Sequence, residues 1–206
     1  MQPRSVNVLF DGPVNAAVTL VLAHGAGAPM DSPFMVTMAT ELAAHGLRVV
    51  RFEFPYMAER RNTGKKRPPD REPVLRATWL EVIRSVKADR LFIGGKSMGG
   101  RIARLVADEA GVAGLVCLGY PFHPVGKPDQ LRIEHLKTIK IPTLIVQGTR
   151  DPFGSREEVA TYPLSPAVRL HWLEDGDHSF KPRKASGRTH EQNMAEAVAA
   201  IADFCC

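Results

Sequence analysis

The sequence predicts an α/β fold: a doubly wound, mostly parallel sheet with helices on both faces. Three observations carry this. Short apolar runs alternate with stretches of helical period along the whole chain, the pattern of strand–helix–strand units. The 206 residues are 44% hydrophobic and 24% charged, which suits one full-sized core spanning residues 1–206 as a single domain. No internal repeat or low-complexity linker interrupts the alternation.

The elements follow in order. Val6 to Phe10 is a weak strand with Asp11-Gly12-Pro13 as its turn, and Val18 to Ala23 a strong one ending in His24-Gly25-Ala26-Gly27. Pro33 opens a helix through Ala44, closed by His45-Gly46. Leu47 to Phe54 reads as a strand ending at Pro55, followed by a long polar loop from Tyr56 to Glu72. Pro73 fits the first turn of a helix through Ala88. Leu91 to Gly94 is a strand and Met98 to Glu109 a helix. Val112 to Tyr120 is a strand, Gln130 to Thr138 a short helix, and Thr143 to Gln147 a strand. Glu157 to Tyr162 forms a helical turn or two, Val168 to Leu173 the last strand, and Thr189 to Phe204 the last helix.

The stretch Leu91-Phe92-Ile93-Gly94-Gly95-Lys96-Ser97-Met98-Gly99-Gly100 is the most informative. It reads as a strand, a Gly-x-Ser-x-Gly turn and a helix, the pattern of a nucleophile elbow with Ser97 at its tip. A strand that turns at once into a helix strains the central residue and leaves little room beside it, so Gly95 and Gly99 remove side chains that would clash. Chance alone places such a motif in roughly one chain in fifteen of this length, so context has to decide. Gly95-Lys96-Ser97 also resembles the tail of a phosphate-binding loop, but that motif needs a glycine where Arg90 stands.

Context supplies partners. In open α/β sheets functional groups gather at strand carboxyl ends. Ser97, Asp151 and His178 each follow a strand, in the chain order Ser, Asp, His expected around such an elbow. A serine hydroxyl is a poor nucleophile at neutral pH; an imidazole can take its proton, and an acid can fix the imidazole's tautomer. Asp175 and Asp177 compete with Asp151 for the acid role, but they share a loop with His178, whereas the Asp151 strand end is the usual source. Two donors are expected to face a developing oxyanion: the N–H of Met98 and one from the loop after Val18–Ala23, with Ala26 first and Gly27 next. Gly27, His123 and Lys96 are further candidates for lining a substrate pocket. Ser32, Ser155 and Ser179 lack an elbow and read as capping or turn residues.

Together these residues resemble the α/β-hydrolase superfamily over nearly the whole chain. Ala-His-Gly-Ala-Gly-Ala, Phe-Pro-Tyr-Met, Gly-Lys-Ser-Met-Gly-Gly-Arg, Gly-Tyr-Pro-Phe-His-Pro and Gln-Gly-Thr-Arg-Asp-Pro-Phe-Gly look like a small branch. That branch is similar to dienelactone-hydrolase-like predicted hydrolases and to hydrolase-like domains of the KANL/Tex type. The resemblance implies a small-molecule ester, thioester or related acyl substrate, an acyl-enzyme intermediate and no cofactor. It departs from many relatives in having room for only a short helix between Tyr120 and Thr143, so the cap is minimal and the pocket is expected to be shallow and open.

The formal net charge is +5. Arg60, Arg61, Lys65, Lys66, Arg67 and Arg71 lie in one loop, and Lys181, Arg183, Lys184 and Arg188 in another, both after strand carboxyl ends. This basic rim suggests steering of anionic substrates. The alternative is a non-enzymatic module holding an acidic partner. The absence of interleaved aromatics argues against nucleic acid. Met1-Gln2-Pro3-Arg4-Ser5 has no signal-peptide core, and no apolar run is long enough to span a bilayer. Cys117, Cys205 and Cys206 offer neither a disulfide framework nor metal-ligand spacing, so no metal is expected and a reducing cytoplasm is the simplest compartment. The oligomeric state leaves no mark on the sequence.

Overall fold

The computed structural model describes residues 6–206; the N-terminal stretch 1–5, read above as lacking a signal core, lies outside the described residues. Seven strands form one sheet: β1 (Val8–Asp11), β2 (Val18–Ala23), β3 (Arg48–Phe52), β4 (Arg90–Lys96), β5 (Gly114–Leu118), β6 (Thr143–Gly148) and β7 (Val168–Leu173). Their order is β1-β3-β2-β4-β5-β6-β7, with β1 antiparallel to β3 and every other pairing parallel. The chain first steps from β2 to β3, then returns to the other side of β2 for β4. The order therefore reverses between β2 and β4, and the crevice at their carboxyl ends is where such sheets place ligands.

Helices cover both faces: α1 (Pro33–Ala44), α2 (Pro55–Thr63), α3 (Glu72–Ser85), α4 (Met98–Ala103), α5 (Glu134–Thr138), α6 (Arg156–Val159) and α7 (His190–Cys205). Every residue of β2, β5 and β6 is buried, as expected of parallel strands covered twice. Alternate residues serve different layers. Leu20 and Leu22 pack with Met38, Leu42, Val198 and Ile201 of α1 and α7. Val21 and Ala23 pack with Trp79, Val82 and Ile102 of α3 and α4. Helix α7 starts where a capping box starts it: Thr189 and Gln192 exchange side-chain-to-backbone hydrogen bonds.

Two expectations are corrected. The polar loop from Tyr56 to Glu72 contains helix α2, with Pro55 in its first turn and Gly64 as its left-handed stop. Its composition hid it, because only Tyr56 and Met57 of its nine residues are buried. The helix expected from Met98 to Glu109 ends at Ala103 and continues as turns. There Leu105 and Val106 donate to residues three positions back, a tighter winding than the α-helix. The connection between β5 and β6 holds only α5, so the minimal cap read from the sequence is present.

Glycines let β4 lie where it does. A methyl group at Gly94 would strike the Val116 carbonyl of β5, and one at Gly95 the Ala23 carbonyl of β2. One at Gly99 would sit 2.5 Å from that Ala23 oxygen, and one at Gly100 2.7 Å from the Gly95 oxygen. These contacts are backbone, which cannot swing aside. Gly95→Ala is expected to destabilise the fold by about 3 kcal/mol, read as a lower urea midpoint, because overpacking a rigid site forces the backbone apart.

Candidate active site

Ser97 sits between β4 and α4 with φ 51° and ψ −112°, a conformation that costs a non-glycine residue energy. Two hydrogen bonds hold it there: its N–H donates to Leu118 O at 2.9 Å, and its carbonyl accepts from Arg101 N at 3.0 Å. Met98 is the first helical residue, so its N–H has no acceptor within the helix.

The loops after β6 and β7 are sewn together. Arg150 N donates to Gly176 O at 3.0 Å, and Asp175 N to Thr149 Oγ1 at 2.9 Å. This brings His178 Nδ1 to 2.8 Å from Asp151 Oδ2. Asp151 is 1% exposed. Its Oδ1 accepts from Phe153 N at 2.9 Å, and its Oδ2 also accepts from Gln147 Nε2 at 3.0 Å. With Asp151 as acceptor, the His178 proton sits on Nδ1 and leaves Nε2 with a lone pair. The competing acids are occupied elsewhere. Asp175 accepts from Arg183 and pairs with Arg150, and the Arg183 hydrogen bonds hold its carboxyl down at about 2. Asp177 accepts from the N–H groups of Ser179 and Lys181.

Ser97 stands where two grooves meet. One, of about 340 Å³, runs past Gly27, Phe34, Met35, Lys96 and His178. The other, of about 310 Å³, runs past Met98, Asp70, Glu72, Arg101 and Arg132. Ala26 and Phe153 line both, and the Phe153 ring lies 4.3 Å from that of His178. A larger groove of about 550 Å³ lies at the far edge of the sheet, between Val8, Phe10 and Val82, away from these residues.

Lys96 lines the first groove, and its Nζ donates to the His178 carbonyl at 2.6 Å. Burial pushes its ammonium down to about 8, against the pull of Asp151 and Asp177. Gly119, at φ +63°, leaves the space for this contact: a methyl group there would sit 2.8 Å from Lys96 Nζ. His123 lines neither groove. It is 2% exposed, its Nδ1 lies 2.9 Å from Pro124 O, and its Nε2 is 3.5 Å from Glu158 Oε1, at the outer limit of a hydrogen bond.

Sequence reasoning missed several residues that shape the site. Gln147 holds the β5 and β6 ends together: its Oε1 accepts from Tyr120 N at 2.7 Å, and its Nε2 reaches Tyr120 O, Gly154 O and Asp151. His24 is fully buried, donates from Nδ1 to Gly25 O at 2.7 Å and accepts at Nε2 from Phe54 N at 3.1 Å. Tyr56 of α2 donates to Ala26 O at 3.0 Å. Together they fix the loop after β2. The only signal in the sequence was position: polar residues at or just beyond the ends of buried strands.

Four of the ten cations of the basic rim are already in ion pairs. Arg61 binds Asp31 and the buried Glu53, Arg67 binds Glu59, Arg183 binds Asp175, and Arg188 binds Glu196. Arg60 donates to Gly27 O at 3.2 Å.

The family profile described as an alpha/beta hydrolase domain matches residues 16–206. The chain belongs to this α/β-hydrolase domain family. Among curated relatives, a carboxymethylenebutenolidase from Pseudomonas sp. (strain P51) is 32% identical over 90 residues, 42% of this chain and 35% of that protein. The match thus spans about a third of that relative's length. Among solved structures, an α/β serine hydrolase without a lid from Xanthomonas campestris superimposes with TM-score 0.73 at 19% identity, covering 97% of this chain and 89% of that one. A dienelactone hydrolase from Anabaena variabilis superimposes with TM-score 0.69 at 21% identity, covering 98% and 90%. At these identities the two structures speak for the fold. No helix among the described residues is long and apolar enough to cross a membrane, and no cluster of three His, Cys, Asp or Glu among them could hold a metal ion.

Burial pushes the His24 imidazole below its ordinary value, and protonating Nε2 would also break its bond from Phe54 N–H. Between the unfolded value of about 6.5 and the lower folded value, the unfolded chain binds a proton that the native state refuses. The stabilisation from neutral His24 is therefore complete above pH 6.5 and is lost as pH falls, at a limiting slope of about 1.4 kcal/mol per pH unit. Urea unfolding at stepped pH should show His24→Gln with a shallower acid slope than the parent.

Proposed function

We propose that this chain is a serine hydrolase of esterase or thioesterase type that works through Ser97, His178 and Asp151. The observation that carries this reading is the strained elbow: it puts Ser97 in one groove with an imidazole whose Nδ1 is already held by a buried carboxylate. His178 Nε2 takes the hydroxyl proton as Ser97 Oγ attacks the ester carbonyl. The carbonyl π electrons move to oxygen, and the N–H groups of Met98 and Ala26 receive the oxyanion. As the tetrahedral adduct collapses, the bond to the alcohol or thiol breaks and His178 returns the proton to it. Water then attacks the acyl-enzyme, giving its proton to His178, and Ser97 leaves with that proton as the acid is released. Asp151 keeps the imidazole in one tautomer and stabilises the imidazolium between steps.

Gln147 and Lys96 act through these groups as positioning residues. Gln147 orients Asp151, and Lys96 tethers the His178 backbone. The open grooves and short cap suit a small acyl substrate. Three cysteines outside any disulfide, two of them buried, support a reducing compartment such as the cytoplasm. The reading as a docking module for an acidic partner has less behind it, because four of the rim arginines that would serve it, Arg61, Arg67, Arg183 and Arg188, are engaged in ion pairs.

Ser97→Ala is expected to lower turnover of activated esters by about three orders of magnitude or more and to abolish fluorophosphonate labelling, with an unchanged melting temperature. Comparable turnover in that variant would remove the proposal. Gln147→Leu is expected to cost about a hundredfold in kcat/KM, falling mainly on kcat, since misplacing the acid disturbs the transition state more than ground-state binding.

A further inference from the structure

Three guanidinium groups beside the elbow have no part in the mechanism above. Arg101 lies in α4 and Arg104 caps its end, three residues on and so on the same helix face. Arg101 lines the groove with Ser97 and Met98, and Arg132 lines it from the connection between β5 and β6. Tyr120 joins them: its ring centroid is 5.8 Å from the Arg104 guanidinium carbon, and its hydroxyl donates to Arg132 O at 2.8 Å.

These cations lack anions. Arg104 is only 8% exposed, and its Nε and Nη1 are buried without an acceptor. None of the three side chains makes an ion pair or hydrogen bond among the described residues, in contrast with Arg61, Arg67, Arg183 and Arg188. Burial, then the charge of Arg132, pushes the Arg101 guanidinium below its ordinary value, while Glu72 pulls the other way. Neither of the two acids in this groove pairs with them: Asp70 Oδ2 accepts from Tyr56 N–H at 2.9 Å, and Glu72 acts on Arg101 from beyond ion-pair distance. A buried charge without a partner costs several kcal/mol, and like charges held together add to it. Such a cluster is destabilised until an anion joins it, and guanidinium forks match the oxygens of a carboxylate or phosphoryl group.

We infer that Arg101, Arg104 and Arg132 form an anion subsite, which takes a carboxylate or phosphoryl group carried by the substrate while its ester lies at Ser97. This rests on the serine-hydrolase reading for the second half of that statement only; the subsite itself can be tested without turnover.

Two measurements separate the parts. The first is the ratio of kcat/KM for mono-4-nitrophenyl glutarate, an anionic ester, to that for neutral 4-nitrophenyl butyrate. The parent should favour the anionic ester. Arg101→Gln and Arg132→Gln should each lower the ratio about tenfold or more, the effect of losing a charge-assisted hydrogen bond. Arg169→Gln, the same charge change at an exposed position near the far end of β7, should leave it in place. The second is calorimetric titration of Ser97→Ala protein with glutarate and with inorganic phosphate, alone and combined with Arg132→Gln. Binding that Arg132→Gln weakens supports the subsite, and the tighter of the two ligands identifies the anion as carboxylate or phosphoryl. Equal ratios in the parent and both arginine variants, with no Arg132-dependent binding, would overturn the subsite while Ser97-dependent hydrolysis of the butyrate ester still stood. Arg132-dependent binding without turnover of either ester would keep the subsite and overturn the hydrolase reading.

Discussion

The close approach of β4 to the backbones of β2 and β5 is the constraint on which the site depends. Side chains at Gly94, Gly95, Gly99 and Gly100 would each meet a carbonyl oxygen of the sheet or of the elbow itself. Without them, the chain can leave β4 and enter α4 in a single residue. That residue, Ser97, absorbs the whole change of direction and is left with a positive φ. The strain is sustained because the sheet on either side is buried, covered by helices and paired along its length, so relaxing one residue would break several backbone hydrogen bonds. The hydroxyl is then presented at the switch point of the sheet, where the chain has already left space between the loops after β2 and β4.

Around that point the loops are held by neutral polar groups more than by charge. His24 joins the ends of β2 and β3, Tyr56 hangs the same loop from α2, and Gln147 ties β5 and β6 to Asp151. Each is buried with its hydrogen-bonding groups engaged by backbone and, for Gln147, by Asp151 as well, so each is inexpensive to bury and specific in geometry. Two charged groups lie among them: Asp151, which has three donors, and Lys96, which sits against Phe34 and Phe180 and donates to a carbonyl. Burial lowers its ammonium to about 8, and the tether survives deprotonation above that because a neutral amine still donates.

What the sequence disclosed depended on how local each signal was. The alternation of strands and helices, the elbow at Ser97, and the positions of Asp151 and His178 at strand ends are all short-range patterns, and the structure brings Asp151 and His178 together at 2.8 Å. Helix α2 escaped because it carries five charged or polar residues among nine and buries only Tyr56 and Met57; its Pro55 and Gly64 were the available marks. Gln147, His24 and Phe153 were illegible for another reason. A residue's type says what bonds it can make but not with whom, and their partners lie up to thirty positions away. His123 shows the converse: it follows a strand end as a pocket residue would, yet the chain turns it toward Glu158.

The basic loops make the same point about charge. Sequence shows the sign of a segment, but its effect depends on acids supplied by other segments. Asp31 and Glu53 answer Arg61, and Glu196 of the last helix answers Arg188. Four of the ten rim cations, Arg61, Arg67, Arg183 and Arg188, are thus answered at short range, where salt screens such pairs less than distant charges. Arg101 and Arg132, half-buried, and Arg104, buried, are also without ion-pair partners among the described residues, and a low local dielectric makes each of these guanidinium groups act more strongly than one on the exposed rim. A rim of paired arginines shapes loops and contributes little field. The proposed preference for an anionic ligand rests instead on a few unpaired ones beside Ser97, where neutralisation is withheld.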